Sequence, residues 1–331
     1  METMRRILPI SLVLLMTMVL MTIALATASA ADTTDSLNTL LRKGGKGLAD
    51  KMYDKAILNY EAALQLDETN YEAIKNLGVA YSAVGNRTQA LRFFEQALKL
   101  NPLDPENLNN LGAHYSEEGD YQKSIDFFHK ALEIDSLDPV TLTNLGQEYA
   151  RIGRVGKALP LLRLADSINP RNAATLYVIG NCYAEMNVYD SAEVYYLNTV
   201  RHGGTGGQLH YFLGVVQERM GKPEAAEESF RKALEYQPDY RDCLQALGVM
   251  YLTSDRFALA AEQFGRAVAV DSSFWAGWIG LGAAQALDGM NAAADSVLER
   301  LFTADSAMGF QMLDLVRRHH PRVKERDKSG N

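Results

Sequence analysis

The sequence predicts an all-α protein: a right-handed α-solenoid, or superhelix, of about eight 34-residue helix-turn-helix units closed by a C-terminal capping helix. Three observations predict it. Leu77-Gly78 returns at a constant step of 34 as Leu111-Gly112, Leu145-Gly146, Ile179-Gly180, Leu213-Gly214, Leu247-Gly248 and Leu281-Gly282, with no insertion or deletion. Between these pairs apolar residues follow helical spacing, as Leu108, Leu111 and Tyr115 do in one stretch and Ile125, Phe128, Ala131 and Leu132 do in the next. Turn chemistry recurs at matching places, with Asp104-Pro105 and Asp138-Pro139 as an N-cap followed by proline at the first helical position.

The elements follow from that register. Gly119-Asp120 ends a first helix and Tyr121 begins the return helix, while Pro102, Pro170 and Pro238 stop second helices where a missing N–H cannot continue the ladder. A glycine inside a helix costs up to ~1 kcal/mol against alanine, so a recurring one implies close backbone approach. Ala90, Ala158, Ala192, Ala226, Ala260 and Ala294, with Ser124 as the one small substitute, face these glycines, and Phe94, Phe128, Tyr196, Phe230 and Phe264 fill the remaining space. The units fall at 37–70, 71–104, 105–138, 139–172, 173–206, 207–240, 241–274 and 275–308. A linker, 31–36, precedes them; a capping helix, 309–320, with Met312, Leu315 and Val316 in it and Met308 just before it, where Asp305 or Ser306 can cap, and a disordered tail, 321–331, follow.

Two units depart from the pattern. The first carries Gly44, Gly45 and Gly47 in its first helix, as a terminal unit can. At the join of the fifth and sixth units, "RHGGTGG" (201–207) replaces the turn signals with glycines. It lacks the Gly-Lys-Ser/Thr and the preceding strand of a phosphate loop, so it reads as a flexible turn about which the two halves flex.

Residues 1–30 have the three parts of a secretory signal: Arg5 and Arg6, an apolar run, and Ala28-Ser29-Ala30. The run from 7 to 26 also approaches the ~20 residues that span a bilayer. Two readings therefore stand, cleavage after Ala30 and an uncleaved inner-membrane anchor, and both send the remainder outside the cytoplasm, to the periplasm or beyond. The net charge is -8, and -9 without residues 1–30, which excludes the basic stripe that nucleic acid needs. Cys182 and Cys243 lie in non-adjacent repeats, too far apart to bridge, and read as buried apolar side chains. His114, His129, His202 and His210 have no metal-ligand spacing, and no nucleophile or carboxylate pair stands in a catalytic arrangement, so neither enzyme activity nor cofactor is expected.

The order Leu-Gly, Tyr, Ala and Phe, complete in Leu244, Leu247-Gly248, Tyr251, Ala260, Phe264 and Ala267 and echoed by Trp278, Leu281-Gly282, resembles the tetratricopeptide repeat family over residues 37–308. The resemblance implies a scaffold whose first helices line a concave groove for a peptide segment or partner subunit. Side chains off the packing face then line that groove: Asn76, Asn110, Asn144, Gln147, Arg151, Tyr177, Asn181, Tyr211 and Arg219. Asn76, Asn110 and Asn144 form a ladder similar to that of O-linked N-acetylglucosamine transferases, where amides hold a peptide backbone; the alternative is that asparagine is merely common at this position. Tyr177 and Tyr211 would supply contact area, whereas Phe212 equally fits as padding between units. Glu72 and Glu106 stand where carboxylate-clamp relatives require lysine, so that clamp is not expected. The competing function is a structural subunit that self-associates or docks into a cell-envelope or secretion assembly.

Overall fold

The structure, a computed structural model, describes residues 33–329. The leader (1–30), with its two readings, the start of the linker and the last two tail residues lie outside the described residues. Among the described residues the chain is entirely helical, with no strand and no helix long and apolar enough to cross a membrane. The helices are α1 (33–49), α2 (Tyr53–Leu66), α3 (Tyr71–Ala83), α4 (Arg87–Leu100), α5 (Pro105–Glu117), α6 (Tyr121–Ile134) and α7 (Pro139–Arg151), and then α8 (Val155–Ile168), α9 (Ala173–Glu185) and α10 (Tyr189–Arg201). They continue as α11 (Gly207–Arg219), α12 (Pro223–Tyr236), α13 (Arg241–Thr253), α14 (Phe257–Val270), α15 (Trp275–Leu287), α16 (Asn291–Ala304) and α17 (Ser306–Ser329). Odd-numbered helices are the first helices of the repeats, even-numbered ones the second.

The chain divides into two compact units at Gly153/Arg154, inside the fourth repeat and not at the glycine run 201–207. In the first unit, α1 to α7, consecutive helices from α2 onward pack on one another, and α5 also touches α3 and α7. In the second, α8 to α17, the same pattern holds, and α17 packs on both α15 and α16.

Each turn has a local cause. Asp104 accepts a hydrogen bond from the Glu106 N–H (3.0 Å), and Asp138 caps α7 from the Thr141 N–H (2.8 Å), as the Asp-Pro signal predicts. Between α5 and α6, Gly119 takes φ +79°, a backbone state that a side chain disfavours, and Asp120 caps the return helix through the Lys123 N–H. Lys51, Asn187 and Asp255 hold the corresponding left-handed turns in other repeats without glycine.

The helical glycines serve the predicted close approach. A Cβ at Gly78, Gly112, Gly180, Gly214 or Gly248 would lie 2.5–2.8 Å from the ring of Phe94, Phe128, Tyr196, Phe230 or Phe264, each 16 residues on. Gly44 stands in the same relation to Tyr60 at 2.7 Å, so the first unit keeps the glycine–aromatic pair that its divergent sequence conceals. The pairing changes in the fourth repeat, where Leu162 stands 16 residues after Gly146, and in the last, where Gly282 faces Val297 of α16 and Met312 of α17. Met312 is buried, with Met308, Leu315 and Val316 packed around it, so the start of α17 covers the apolar end of the second unit.

Two helix boundaries and one turn differ from the sequence expectation. Helix α1 begins at residue 33, within the expected linker, where Asp35 lies in its first turn and suits the positive end of the helix dipole. At the other end α17 runs through Pro321 to Ser329 instead of stopping at 320, in a segment rich in the helix formers Lys, Arg and Glu. The glycine run is a closed turn: the Gly204 N–H donates to the Thr199 carbonyl (2.8 Å), and a Cβ on Gly204 would strike Thr199. Both cysteines are free and buried, and Cys243 Sγ donates to the Phe230 carbonyl (3.2 Å).

Candidate partner-binding face

In the first unit the side chains between packing positions on α3, α5 and α7 join one helix to the next. Lys75 on α3 pairs with Glu106 at the start of α5 and lies 3.4 Å from Asp104. Tyr71 donates its hydroxyl proton to Asp104. Burial pushes the Asp104 carboxyl up, but the Tyr71 hydrogen bond, the Lys75 charge and the Glu106 N–H outweigh it and hold the group below its ordinary value. The Lys75 ammonium is correspondingly raised: burial acts against it, and Glu106 and Asp104 prevail.

One step along, Asn144 Nδ2 donates to Asn109 Oδ1 (3.0 Å), and Thr141 Oγ1 donates to the same oxygen (3.1 Å). Farther down the pair, Ser116 on α5 donates to Glu148 on α7 (2.7 Å), and Arg151 donates to Ser116 Oγ (3.1 Å). The three predicted asparagines thus differ. Asn76 is half-buried near the Tyr60 hydroxyl, which has no hydrogen-bond partner and whose pKa is pushed up to about 12 by burial first and Glu72 second, with Asn76 acting against them. Asn144 has committed one amide N–H to its neighbour. Asn110 buries an Nδ2 that has no partner. Gln147 and Arg151 lie with Asn144 around a cavity of about 390 Å³ between α5 and α7.

The second unit holds the remaining residues, and most are tied into its packing. Tyr177 lies 6.0 Å from Tyr196 between ring centroids, and Asn181 accepts the Tyr196 hydroxyl proton (2.8 Å). Burial raises the Tyr177 hydroxyl pKa, with a hydrogen bond from Asn181 pulling the other way. Tyr211 sits 4.9 Å from Tyr240 and 5.9 Å from Phe230, against the core and not off it, which corrects the expectation that its side chain lies clear of the packing face. Its fifth position in the repeat points between helices because Tyr240, at the turn into the next repeat, reaches back over it. Phe212 likewise packs against the apolar cluster that includes Leu209 and Leu213, and Arg219 is exposed. Tyr177 has a second neighbourhood, a small cavity of about 230 Å³ shared with Thr199, Thr205 and Leu209 and floored by the glycine turn.

Two participants escaped sequence reasoning, Ser116 and Glu148. The signal was available in the register. The tenth position of successive repeats holds Ala80, His114, Glu148, Cys182, Val216, Met250 and Ala284, all buried, and an acid among them is an exception.

Comparison with known proteins agrees with this architecture. Tetratricopeptide repeat family models match residues 47–115, 105–138 and 207–240. No curated protein matches the chain. Among solved structures, the Cut9–Hcn1 hetero-tetramer of the APC/C is similar with a TM-score of 0.64 at 14% identity, over 75% of this chain and 52% of that one, so the chain spans about half of its length. PilF of Pseudomonas aeruginosa gives 0.55 at 17% identity, over 62% of this chain and 94% of the other. PilW, a type IV pilus biogenesis factor, gives 0.56 at 20%, over 63% and 97%. Identities this low carry the fold and no function. Residues 47–138 and 207–240 are tetratricopeptide repeats, and the all-α architecture built around them is that of a tetratricopeptide-repeat solenoid.

Proposed function

We propose that this chain is a non-catalytic scaffold, working outside the cytoplasm, that holds a peptide segment or partner subunit against its first helices. Repeats of this kind bind proteins or peptides as a class. The observation that carries the reading here is the unspent hydrogen-bonding capacity of the α5–α7 face. Asn110 buries an amide N–H₂ without a partner, and a cavity lined by Ala113, one turn farther along α5, and by Asn144 and Gln147 of α7 lies on the same pair of helices. An unpaired buried donor costs roughly 1–3 kcal/mol, which a bound backbone carbonyl would recover. The extracytoplasmic part of the proposal rests on Arg5, Arg6, the apolar run 7–26 and the small residues Ala28 to Ala30.

The test is a pull-down from envelope extract, followed by calorimetry of the recovered partner with the wild type and with the Asn110→Ala/Gln147→Ala variant. A loss of roughly 1–3 kcal/mol of binding is expected, about 0.5–1.5 for each net hydrogen bond, with helical circular dichroism unchanged. Undiminished affinity with an intact fold moves the binding surface elsewhere, to the second helices or to self-association.

A further inference from the structure

Glu148 is 2% exposed, in a register position that the other repeats from the second onward fill with Ala, Cys, Val or Met, or in one case with His114. A buried carboxylate needs a full set of partners, and this one has half of them. Oε1 accepts from Ser116 Oγ at 2.7 Å and has Arg151 Nη1 at 3.7 Å. Oε2 is buried and accepts from nothing. Arg151 does not close the gap: its guanidinium is held by Ser116 Oγ and lies over the Tyr121 ring at 5.4 Å. Glu148, Ser116 and Arg151 are lining residues of the cavity of about 390 Å³, together with Asn144 and Gln147. Asn144 gives one amide N–H to Asn109, and its carbonyl oxygen can serve as an acceptor.

We infer that this cavity is a subsite for one cationic side chain, lysine or arginine, of the peptide bound on the first-helix face, with the Glu148 carboxylate as its counter-ion. The inference rests on the peptide-binding reading and names the residue type that reading leaves open. The acceptors present, a carboxylate oxygen and neighbouring amide carbonyls, suit a donor-only ligand group. Longer-range charge agrees: residues 33–153 hold 18 acidic against 12 basic side chains, so the unit that contains this cavity is net negative and attracts cations. Arg151 is the internal competitor for Glu148, and its partial exposure lets it swing aside when a ligand cation enters.

The experiment displays a library of capped decapeptides, randomised at every position, to the full chain, to Glu148→Gln and to Arg151→Gln, with circular dichroism as the folding control. Glutamine keeps an oxygen for Ser116 and removes the charge. The wild type should enrich lysine or arginine at one fixed position, and Glu148→Gln should abolish that preference, weakening a selected lysine peptide about tenfold or more. Arg151→Gln should tighten the same peptide roughly two- to fivefold by removing the competitor; this variant tests the idea even if Glu148→Gln does not fold. Peptides enriched without a basic position, a basic preference that survives Glu148→Gln, or weaker binding by Arg151→Gln would each overturn the cationic subsite while leaving peptide capture in place. Enrichment of no peptide would overturn peptide capture itself, and the subsite with it.

Discussion

Replacing Gly112 by alanine adds one methyl group to the place where α5 touches α6. The new Cβ would lie 2.6 Å from Cδ1 and Cε1 of Phe128 and 3.0 Å from its Cζ, against ordinary contacts of 3.4 Å or more. Phe128 is 1% exposed, so its ring has no open side and the two helices must separate by most of an ångström. Overpacking of this size costs about 1–3 kcal/mol, from which the better helix propensity of alanine subtracts up to ~1 kcal/mol. A net loss of up to about 2 kcal/mol follows. Gly265, in the middle of α14, supplies the matched control: a Cβ there would meet only Leu281 Cδ1, at 3.9 Å. Gly265→Ala therefore keeps the propensity gain and should stabilise by about 0.5–1 kcal/mol. The assay is urea denaturation followed by circular dichroism, with native-state hydrogen exchange to locate the change, since repeat arrays need not unfold in two states. Protection should fall in α5, α6 and their neighbours α4 and α7. If Gly112→Ala is as stable as Gly265→Ala, or if protection falls evenly through α8 to α17, the close-approach account of the repeating glycine is wrong.

Three further outcomes follow from the structure. Asp104→Ala should cost about 1–2 kcal/mol at neutral pH, through loss of the α5 cap and the Tyr71 hydrogen bond, as urea midpoints would report. Because the folded Asp104 carboxyl is held below its ordinary 3.8, its contribution is complete above that value and is lost as pH falls through the lower folded value; a wild-type minus Asp104→Ala difference that persists unchanged in stronger acid would contradict this. Tyr211→Ala should destabilise α11 to α13 by about 2 kcal/mol, from lost packing on Phe230 and Tyr240, so any binding defect in this variant must be judged against its thermal midpoint. Burial pushes the Cys182 and Cys243 thiols up to about 11 and about 12, so iodoacetamide at pH 8 should leave both unlabelled until denaturant is added, and rapid native labelling would show the second unit to be open.

The fold was legible because its determinants are local and repeat. The Asp-Pro caps, the proline stops and the glycine–aromatic pairs each act within one helical hairpin, and seven copies of the Leu-Gly or Ile-Gly pair make the register unmistakable. Gly44 shows the limit: it sits in register, but the loss of its leucine partner and the neighbouring Gly45 and Gly47 disguised it until Tyr60 was seen against it. Proline within α8, at Pro160, broke a local rule without ending the helix, since neighbouring Ala158 and Leu162 remain buried.

The face was only half legible. Periodicity places Asn76, Asn110 and Asn144 on one side of their helices, yet it says nothing of which amide is already spent. Asn144 is bound to Asn109 because of how α5 and α7 meet, a contact between residues 35 apart. Tyr211 turned out to be packing because Tyr240 reaches back over it. Glu148 was hidden for the opposite reason: as a charged residue on a helix it looked like solvated surface, and only its place in the register marks it as buried.

The central claim, that partners are held against the first helices, is tested most directly by site-specific photo-crosslinking to the partner recovered from envelope extract. A benzophenone amino acid is placed singly at Ala113 and Gln147, beside the α5–α7 cavity, and at Glu95 and Lys130, exposed on the second helices α4 and α6. The account predicts covalent partner adducts from Ala113 and Gln147 and none from Glu95 or Lys130. Adducts confined to Glu95 and Lys130, with the fold of all four variants intact, would contradict it.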